Sequence, residues 1–430
     1  MNQPKVMTIF GTRPEAIKIA PILFELGRHS NVSSCVVVTA QHRSMLDQVL
    51  NIFNIKPDHD LDIMQPGQSL TDITLRALES LERIISLEKP DMVLVQGDTT
   101  TAFVGGLAAF YHQIPVGHVE AGLRTRDKYN PFPEEINRHF LGVLADLCFA
   151  PTSTARQALL AEGVPEERIL ITGNTVIDAL LMTIDQNHEF TVPALRQIDF
   201  GLPRKTLLVT AHRRESHGAP LENICRDLRD LLLEREDLQL VFPVHLNPRV
   251  RDTAFSILGG LGRAILVDPL GYPDFVHLMK CADIIVTDSG GVQEEAPALG
   301  KPVLVIRATT ERPEAVEAGT ARLVGTERYS IASAVSQLLD NPADYERMQQ
   351  AANPYGDGHA AQRIVDLVRH FFGLNSVRPE PFTPTRRSSN FLSEIESNNC
   401  RAGKLGEPQS ERPDVEQGHH QRKVEAHDGR

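Results

Sequence analysis

Short apolar runs that alternate with amphipathic stretches, twice over, constrain this chain more than any other feature of its sequence. In the first half, strand candidates at 5–10, 35–39, 91–96, 114–117 and 147–150 are separated by helical patterns such as 14–28, 43–53 and 70–87. A second series starts after Thr172-Gly-Asn-Thr175, with strands near 206–210, 239–243, 264–267, 283–287 and 302–306. Strands that are apolar on both faces need helices on both sides, as in the βαβ units of parallel sheets. The expectation is an α/β chain of two doubly wound units in tandem, with a ligand cleft at the carboxyl ends of both sheets. The last helix falls at about 359–372. Residues 376–430 are rich in Pro, Arg, Ser, Asn, Glu and His and lose apolar periodicity. Such a segment cannot offset its ordering entropy by burial, so it reads as a disordered tail.

The formal charge of −12 over 430 residues argues against non-specific nucleic-acid binding, while leaving room for a local phosphate site. No apolar run approaches the roughly 20 residues that span a bilayer, so no membrane contact is expected. The N-terminus runs straight into the Val6–Phe10 strand pattern without a signal-peptide layout, and the expected location is cytoplasmic. The five cysteines are scattered and lack CxxC pairing, which reads as reduced thiols.

Two glycine turns attract attention as anion sites. Gly11-Thr-Arg-Pro-Glu15 follows the first strand and opens a helix, where exposed amides and the helix dipole suit a phosphate. Arg13 and Lys18 add positive charge at that mouth, although Pro14 is also a plain helix starter. Asp288-Ser-Gly-Gly-Val-Gln-Glu-Glu295 repeats the arrangement in the second half, with Ser289 as N-cap and Gly290 and Gly291 admitting a diphosphate. Glu295 then suits ribose hydroxyls, and Arg312, in Thr309-Thr-Glu-Arg-Pro313, reaches the same cleft.

Acidic residues cluster after first-half strands: Asp98 in Gln96-Gly-Asp-Thr-Thr-Thr101, Glu120 in Gly117-His-Val-Glu-Ala-Gly-Leu-Arg124, and Glu134 in Pro131-Phe-Pro-Glu-Glu-Ile-Asn-Arg138. Three carboxylates in one crevice are expected to raise each other's pKa and so to suit proton transfer near neutral pH. Each alone reads equally as a helix cap or an ion-pair partner. His212, beside two arginines after a second-half strand, is a further candidate. His118-Val-Glu120 matches one piece of a zinc-deaminase pattern but lacks its P-C-x-x-C, and Asp58-His-Asp60 reads as a solvated polar loop, so no metal is expected.

Taken in order, these motifs resemble the non-hydrolysing UDP-N-acetylglucosamine 2-epimerases from about residue 5 to residue 373. Gln41-His-Arg43, His212-Arg-Arg-Glu215, Thr310-Glu-Arg-Pro313 and Asn353-Pro-Tyr-Gly-Asp-Gly358 belong to the same set. The resemblance implies a glycosyltransferase-B-like fold, that is, two doubly wound Rossmann-like domains facing a central cleft. Domain bounds on that reading are 1–173, completed by a C-terminal helix at 355–373, and 174–354 for the UDP-binding domain. It also implies that Arg13, Lys18, Ser289, Gly290, Gly291, Glu295 and Arg312 hold UDP, with Phe275 at the uracil. Asp98, Glu120, Glu134 and His212 match positions implicated in catalysis. Gln41 and His42 match a second, activating substrate site of some relatives, whereas Gly67 departs from their arginine. The implied reaction eliminates UDP to give 2-acetamidoglucal and re-adds UDP with the C2 proton delivered to the opposite face, without metal or nicotinamide cofactor. The implied partners are UDP-N-acetylglucosamine, UDP and a second copy of the chain.

A sugar-nucleotide glycosyltransferase or a hydrolysing epimerase would use the same fold and UDP site. A non-catalytic UDP-sugar sensor would keep the glycine turns but has no need of the acid cluster.

Overall fold

The computed structural model describes residues 3–40, 43–65, 67–200, 204–213 and 216–386. Seven strands build the first sheet: β1 (Lys5–Phe10), β2 (Ser33–Val38), β3 (His59–Asp60), β4 (Met92–Gln96), β5 (Val116–Val119), β6 (Leu147–Ala150) and β7 (Ile169–Ile171). Their spatial order is β3-β2-β1-β4-β5-β6-β7, and every pairing is parallel, with Val6 opposite both Ser34 and Met92. Six strands form the second sheet: β8 (Lys205–Thr210), β9 (Leu238–Pro243), β10 (Ala264–Val267), β11 (Ile284–Thr287), β12 (Val303–Val305) and β13 (Ala321–Leu323). They run parallel in the order β10-β9-β8-β11-β12-β13. Each sheet reverses its strand order once, between β1 and β4 and between β8 and β11, which is the doubly wound topology.

Sequence patterning locates the longer strands. It misses β3, β7 and β13, which are two or three residues long and too short to carry a period. It also starts β5 two positions early, because the observed strand runs on through Gly117 and the fully buried polar His118. Asp58-His-Asp60 is not the loop expected. His59 and Asp60 pair with β2, while Asp58 accepts the Val36 amide at 2.7 Å. Cys35, Cys148 and Cys225 are free and buried, but Cys281 is disulfide-bonded, so the reading of reduced thiols throughout is corrected there.

One apolar cluster runs through both units, joining Phe10, Leu94 and Phe149 of the first sheet to Ile285 and Val303 of the second. The helix Ala360–Phe371 returns to the first unit and packs on the helices Arg13–Gly27 and Thr175–Thr183. Buried Asp178 caps it from outside: its two carboxylate oxygens accept the Ala360 and Ala361 amides at 3.2 and 2.8 Å. The next residues correct part of the expected disordered tail. Within the described stretch 376–386, the Phe382 amide donates to the Ile171 carbonyl at 2.7 Å, its ring is buried, and Arg378 donates to the carbonyls of Glu167 and Ile169. An apolar ring and a backbone bond along the edge strand β7 tie down a segment whose composition alone reads as solvated. Residues 387–430 lie outside the described part of the chain, as do Gln41, His42, Arg214 and Glu215. No helix among the described residues is long and apolar enough to cross a membrane.

Candidate active site

Most of the candidate residues follow strands at, or next to, the two places where strand order reverses. Gly11 to Arg13 follow β1, Asp98 follows β4 and Glu120 follows β5, while His212 follows β8 and Asp288 follows β11. Side chains there project into the crevice beyond the carboxyl ends of the strands, where open parallel sheets bind ligands.

The two glycine turns turn out to differ. The amides of Gly11 and Thr12 donate to Glu15 Oε2 at 2.9 and 2.7 Å, and Thr99 Oγ1 donates to Glu15 Oε1 at 2.5 Å. Glu15 thus closes a capping box on Thr12, and the first cradle is filled by the protein's own carboxylate, not left open for a phosphate. Burial raises the Glu15 pKa despite these donors. A Cβ at Gly11 would lie 2.0 Å from Thr39 Oγ1, so glycine there answers to packing. At Gly290 and Gly291 a Cβ would meet nothing closer than 3.8 and 3.7 Å, so the protein itself does not demand glycine. Ser289 occupies the N-cap position of the helix Gly290–Ala298 but makes no side-chain cap, contrary to expectation, and the first amides of that helix stay uncapped. The second turn alone keeps the open helix N-terminus that anions prefer.

Glu120 sits at φ 64°, a left-handed conformation that costs a non-glycine residue about 1–2 kcal/mol. Its oxygens accept from Lys18 Nζ at 2.6 and 2.7 Å, from Asn174 Nδ2 at 3.0 Å, and from Gln96 Nε2. Burial works against its charge, but Lys18, Arg312 and Asn174 outweigh it and hold the Glu120 pKa below the usual carboxylate range. The expectation that crowded carboxylates raise each other's pKa therefore fails at Glu120, because cations and amide donors, not fellow acids, surround it. Burial likewise opposes the charge on Lys18, yet Glu120 and Glu294 keep its pKa raised.

The helix that begins at Glu134 also holds Asp98. Arg138, a turn beyond Glu134, donates to Asp98 Oδ2 at 2.9 Å, and Asn137 donates to the Asp98 carbonyl at 2.8 Å. Glu134 Oε2 is buried with no hydrogen-bond partner, which leaves that oxygen available to a ligand or its proton. His118, buried and neutral with its pKa lowered to about 4 by burial, lies with Nε2 2.7 Å from the Gly97 carbonyl. It thereby steadies the turn that carries Asp98.

From the second unit, His212 Nδ1 lies 3.0 Å from Oδ1 of the fully buried Asp288, whose Oδ2 accepts the His212 and Arg213 amides at 2.8 Å. Burial opposes the Asp288 charge, but the imidazole and these amides hold its pKa down. Asp288 thus holds the His212 backbone and sets a carboxylate beside the ring, although the 3.0 Å approach lacks hydrogen-bond geometry; a ring so placed suits an acid–base histidine. Arg312 donates from Nε to Glu294, and burial raises the Glu295 pKa to about 7 although Tyr272 Oη donates to it at 2.9 Å. Phe275 is partly buried against the apolar cluster. Lys18, Glu120, Asn174, Glu294 and Arg312 make one continuous polar network between the two units.

Sequence reading missed Gln96, Asn174, Glu294 and Asp288 as working parts. Glu294 and Asp288 flank residues it did name, whereas Asn174 served only as a boundary marker. Away from the cleft, Cys35, His59 and Glu88 bring ligand atoms within 4.8 Å of one another. Lys5 Nζ already occupies Glu88 at 3.0 Å, and burial pushes the Cys35 thiol up to about 11, so this group suits an ion pair better than a cation.

The profile of the UDP-N-acetylglucosamine 2-epimerase family matches residues 24–369. A UDP-N-acetylglucosamine 2-epimerase of Escherichia coli K12 is 55% identical over 370 residues, which cover 85% of this chain and 98% of the relative. A Staphylococcus aureus structure solved with UDP is 50% identical, with a TM-score of 0.79, over 88% of this chain and 100% of the other. The Neisseria meningitidis UDP-GlcNAc 2-epimerase bound to UDP-GlcNAc is 49% identical, with a TM-score of 0.76, over 85% of this chain and 100% of the other. With a closely superposing backbone, nearly the same length of folded chain and about half the residues held in common, this chain belongs to the UDP-N-acetylglucosamine 2-epimerase family.

Proposed function

We propose that this protein interconverts UDP-N-acetylglucosamine and UDP-N-acetylmannosamine by inverting carbon 2 of the sugar. One observation carries the reading: the uncapped helix N-terminus at Gly290 lies beside Arg312, which the Glu294–Asn174–Glu120 network ties to Lys18. The C2 proton is not next to a carbonyl, so direct removal is prohibitive. Cleavage of the C1–O bond, with its electron pair leaving on UDP, gives C1 oxocarbenium character and acidifies that proton. A carboxylate takes the proton, C1=C2 forms, and the neutral 2-acetamidoglucal stays between the two units. Return of a proton to the opposite face of C2, and of the diphosphate oxygen to C1, gives the manno product. No net electron moves, so the chemistry calls for no hydride carrier.

The site residues divide accordingly. The amides at Gly290 and Gly291, with Ser289, Arg13 and Arg312, meet the departing diphosphate, while Phe275 faces the uracil and Glu295 the ribose. His212, oriented by Asp288, stabilises the leaving phosphate oxygen. Glu134 and Asp98 move protons, and Glu120, saturated with donors, holds Lys18 in place. On this reading the domains are 1–173 with the helix at 355–373, and 174–354. The chain works as a cytoplasmic homodimer that feeds cell-surface polysaccharide synthesis. Support for self-association comes from the apolar side chains Phe110, Tyr111, Phe140 and Val143, exposed on the adjacent helices Thr100–Tyr111 and Glu134–Leu144.

Incubation of the pure protein with UDP-N-acetylglucosamine in D2O, followed by proton NMR, tests the reaction. Deuterium at C2 and a mixture of two UDP-sugars are expected. Free N-acetylmannosamine and UDP as the main products would replace the reading with hydrolysis, and no isotope at C2 would remove it.

A further inference from the structure

Asn174 lies between β7 and the helix Thr175–Thr183, at the passage from the first unit to the second, and it is buried. Both polar atoms of its side chain are hydrogen-bonded. Oδ1 accepts the Val176 amide at 3.1 Å and so caps the helix. The two Nδ2 hydrogens go to two different carboxylates, Glu120 Oε1 at 3.0 Å and Glu294 Oε2 at 2.9 Å. The Asn174 amide donates to the Tyr355 carbonyl at 2.6 Å, which ties the residue to the segment that leads into the last helix. The amide orientation is therefore forced: turned over, its oxygen would face two carboxylates and its NH2 group would face an amide N–H.

Glu120 belongs to the first unit, and Glu294, whose Oε1 accepts from Arg312 Nε, belongs to the second. The Asn174 amide is the hydrogen-bond donor that the two carboxylates share. We propose that Asn174 is a positioning residue that couples the Glu294–Arg312 pair to Glu120. Movement of the arginine on the diphosphate then resets the acid and Lys18 at the sugar. The coupling rests on the epimerase reading of the site and adds to it a part that touches neither the uridine nor the reacting carbon. Only asparagine meets the demand. Aspartate keeps the cap but offers no donor, glutamine is too long to cap, and alanine does neither.

The test compares Asn174→Asp with the wild type. Aspartate is as good an N-cap as asparagine but sets a third buried carboxyl beside Glu120 and Glu294, so the melting temperature is expected to fall at pH 8 and to recover as pH is lowered. The substitution removes two donors and adds a carboxylate among Glu120, Glu294, Lys18 and Arg312, which are the charged groups facing it. Expected at pH 8 are a kcat lower on the order of 100-fold, which is about 2.7 kcal/mol at 1.36 kcal/mol per decade, and UDP affinity within about threefold. As pH falls, the new carboxyl gains a proton and with it a donor, so the deficit against wild type should shrink. Combination with Glu294→Gln should be less than additive in kcat, since both act on one link. A wild-type kcat and pH profile in Asn174→Asp, or losses of kcat and UDP affinity in equal measure, would overturn the coupling and leave the epimerase reading intact. Wild-type protein that places no deuterium at C2 would overturn both.

Discussion

Gly11, one residue before the N-cap of its helix, and Gly290, the first residue of its own, answer to different demands. Gly11 is hemmed in by Thr39 and Thr101, while Gly290 and Gly291 have room that only a ligand would fill. Gly11→Ala should therefore cost about 1–3 kcal/mol of stability by overpacking, read as a lower denaturation midpoint. Gly291→Ala should leave the midpoint unchanged and weaken UDP at least tenfold in calorimetric titration, because a methyl group intrudes on the diphosphate. Equal effects in the two variants would return the second turn to a purely structural role. Glu295 makes a second prediction. Its pKa is raised to about 7 by burial, so much of it is protonated at neutral pH. Ribose hydroxyls that donate to it favour the charged form, so UDP binding at pH 7 should release a proton. Titrations in buffers of differing ionisation enthalpy should reveal this release, and Glu295→Gln should abolish it. At this scale the candidate residues were legible from their place after strands, but their hydrogen-bond partners were not. Nothing in Gly11-Thr-Arg-Pro-Glu15 says that Glu15 folds back to fill the turn it belongs to.

The helix Ala360–Phe371 has a strong apolar stripe and is readable in the sequence, yet its docking depends on Asp178, far away in the chain. Burial raises the Asp178 pKa to about 7 against the pull of the amides it accepts. The sign follows from linkage. Between the ordinary value of 3.8 and about 7 the folded state holds a proton that the unfolded state has lost, so stability from this group falls as pH rises through that window. Asp178→Asn should flatten that slope in urea denaturation across pH 4 to 7. Asp178→Ala should cost on the order of 1–2 kcal/mol, because it strips the helix of its cap. An unchanged slope in Asp178→Asn would mean that the group is not protonated in the folded protein. Elements of two or three residues (β3, β7, β13) escaped sequence reading because their existence depends on a neighbouring strand edge and not on their own period. The stretch around Phe382 escaped for the same reason: the β7 edge gives it a hydrogen bond and a buried site that composition cannot foresee.

For the molecule as a whole, Val143 at 81% and Phe140 at 49% exposure stand on the helix Glu134–Leu144, whose neighbour Thr100–Tyr111 exposes Phe110 and Tyr111. If that face is where two copies meet, Val143→Arg should convert a dimer to a monomer in sedimentation, with the melting temperature of dilute protein little changed. A monomeric wild type would remove the homodimer from the reading. The architecture itself was legible: two series of apolar runs separated by amphipathic stretches leave few alternatives to two parallel sheets, since such runs must be covered on both faces. The order of the motifs was enough to indicate the family, because most of them follow a strand at the cleft end. The tertiary structure alone decided which groups meet across the cleft. Lys18 with Glu120, Asn174 with Glu294, and Asp178 with the last helix are contacts between residues distant in the chain. Local propensity and periodicity carry information over a turn or a strand. The charge state of a buried carboxylate depends instead on which cation or amide the folded chain brings within 3 Å, and that is a property of the packed molecule.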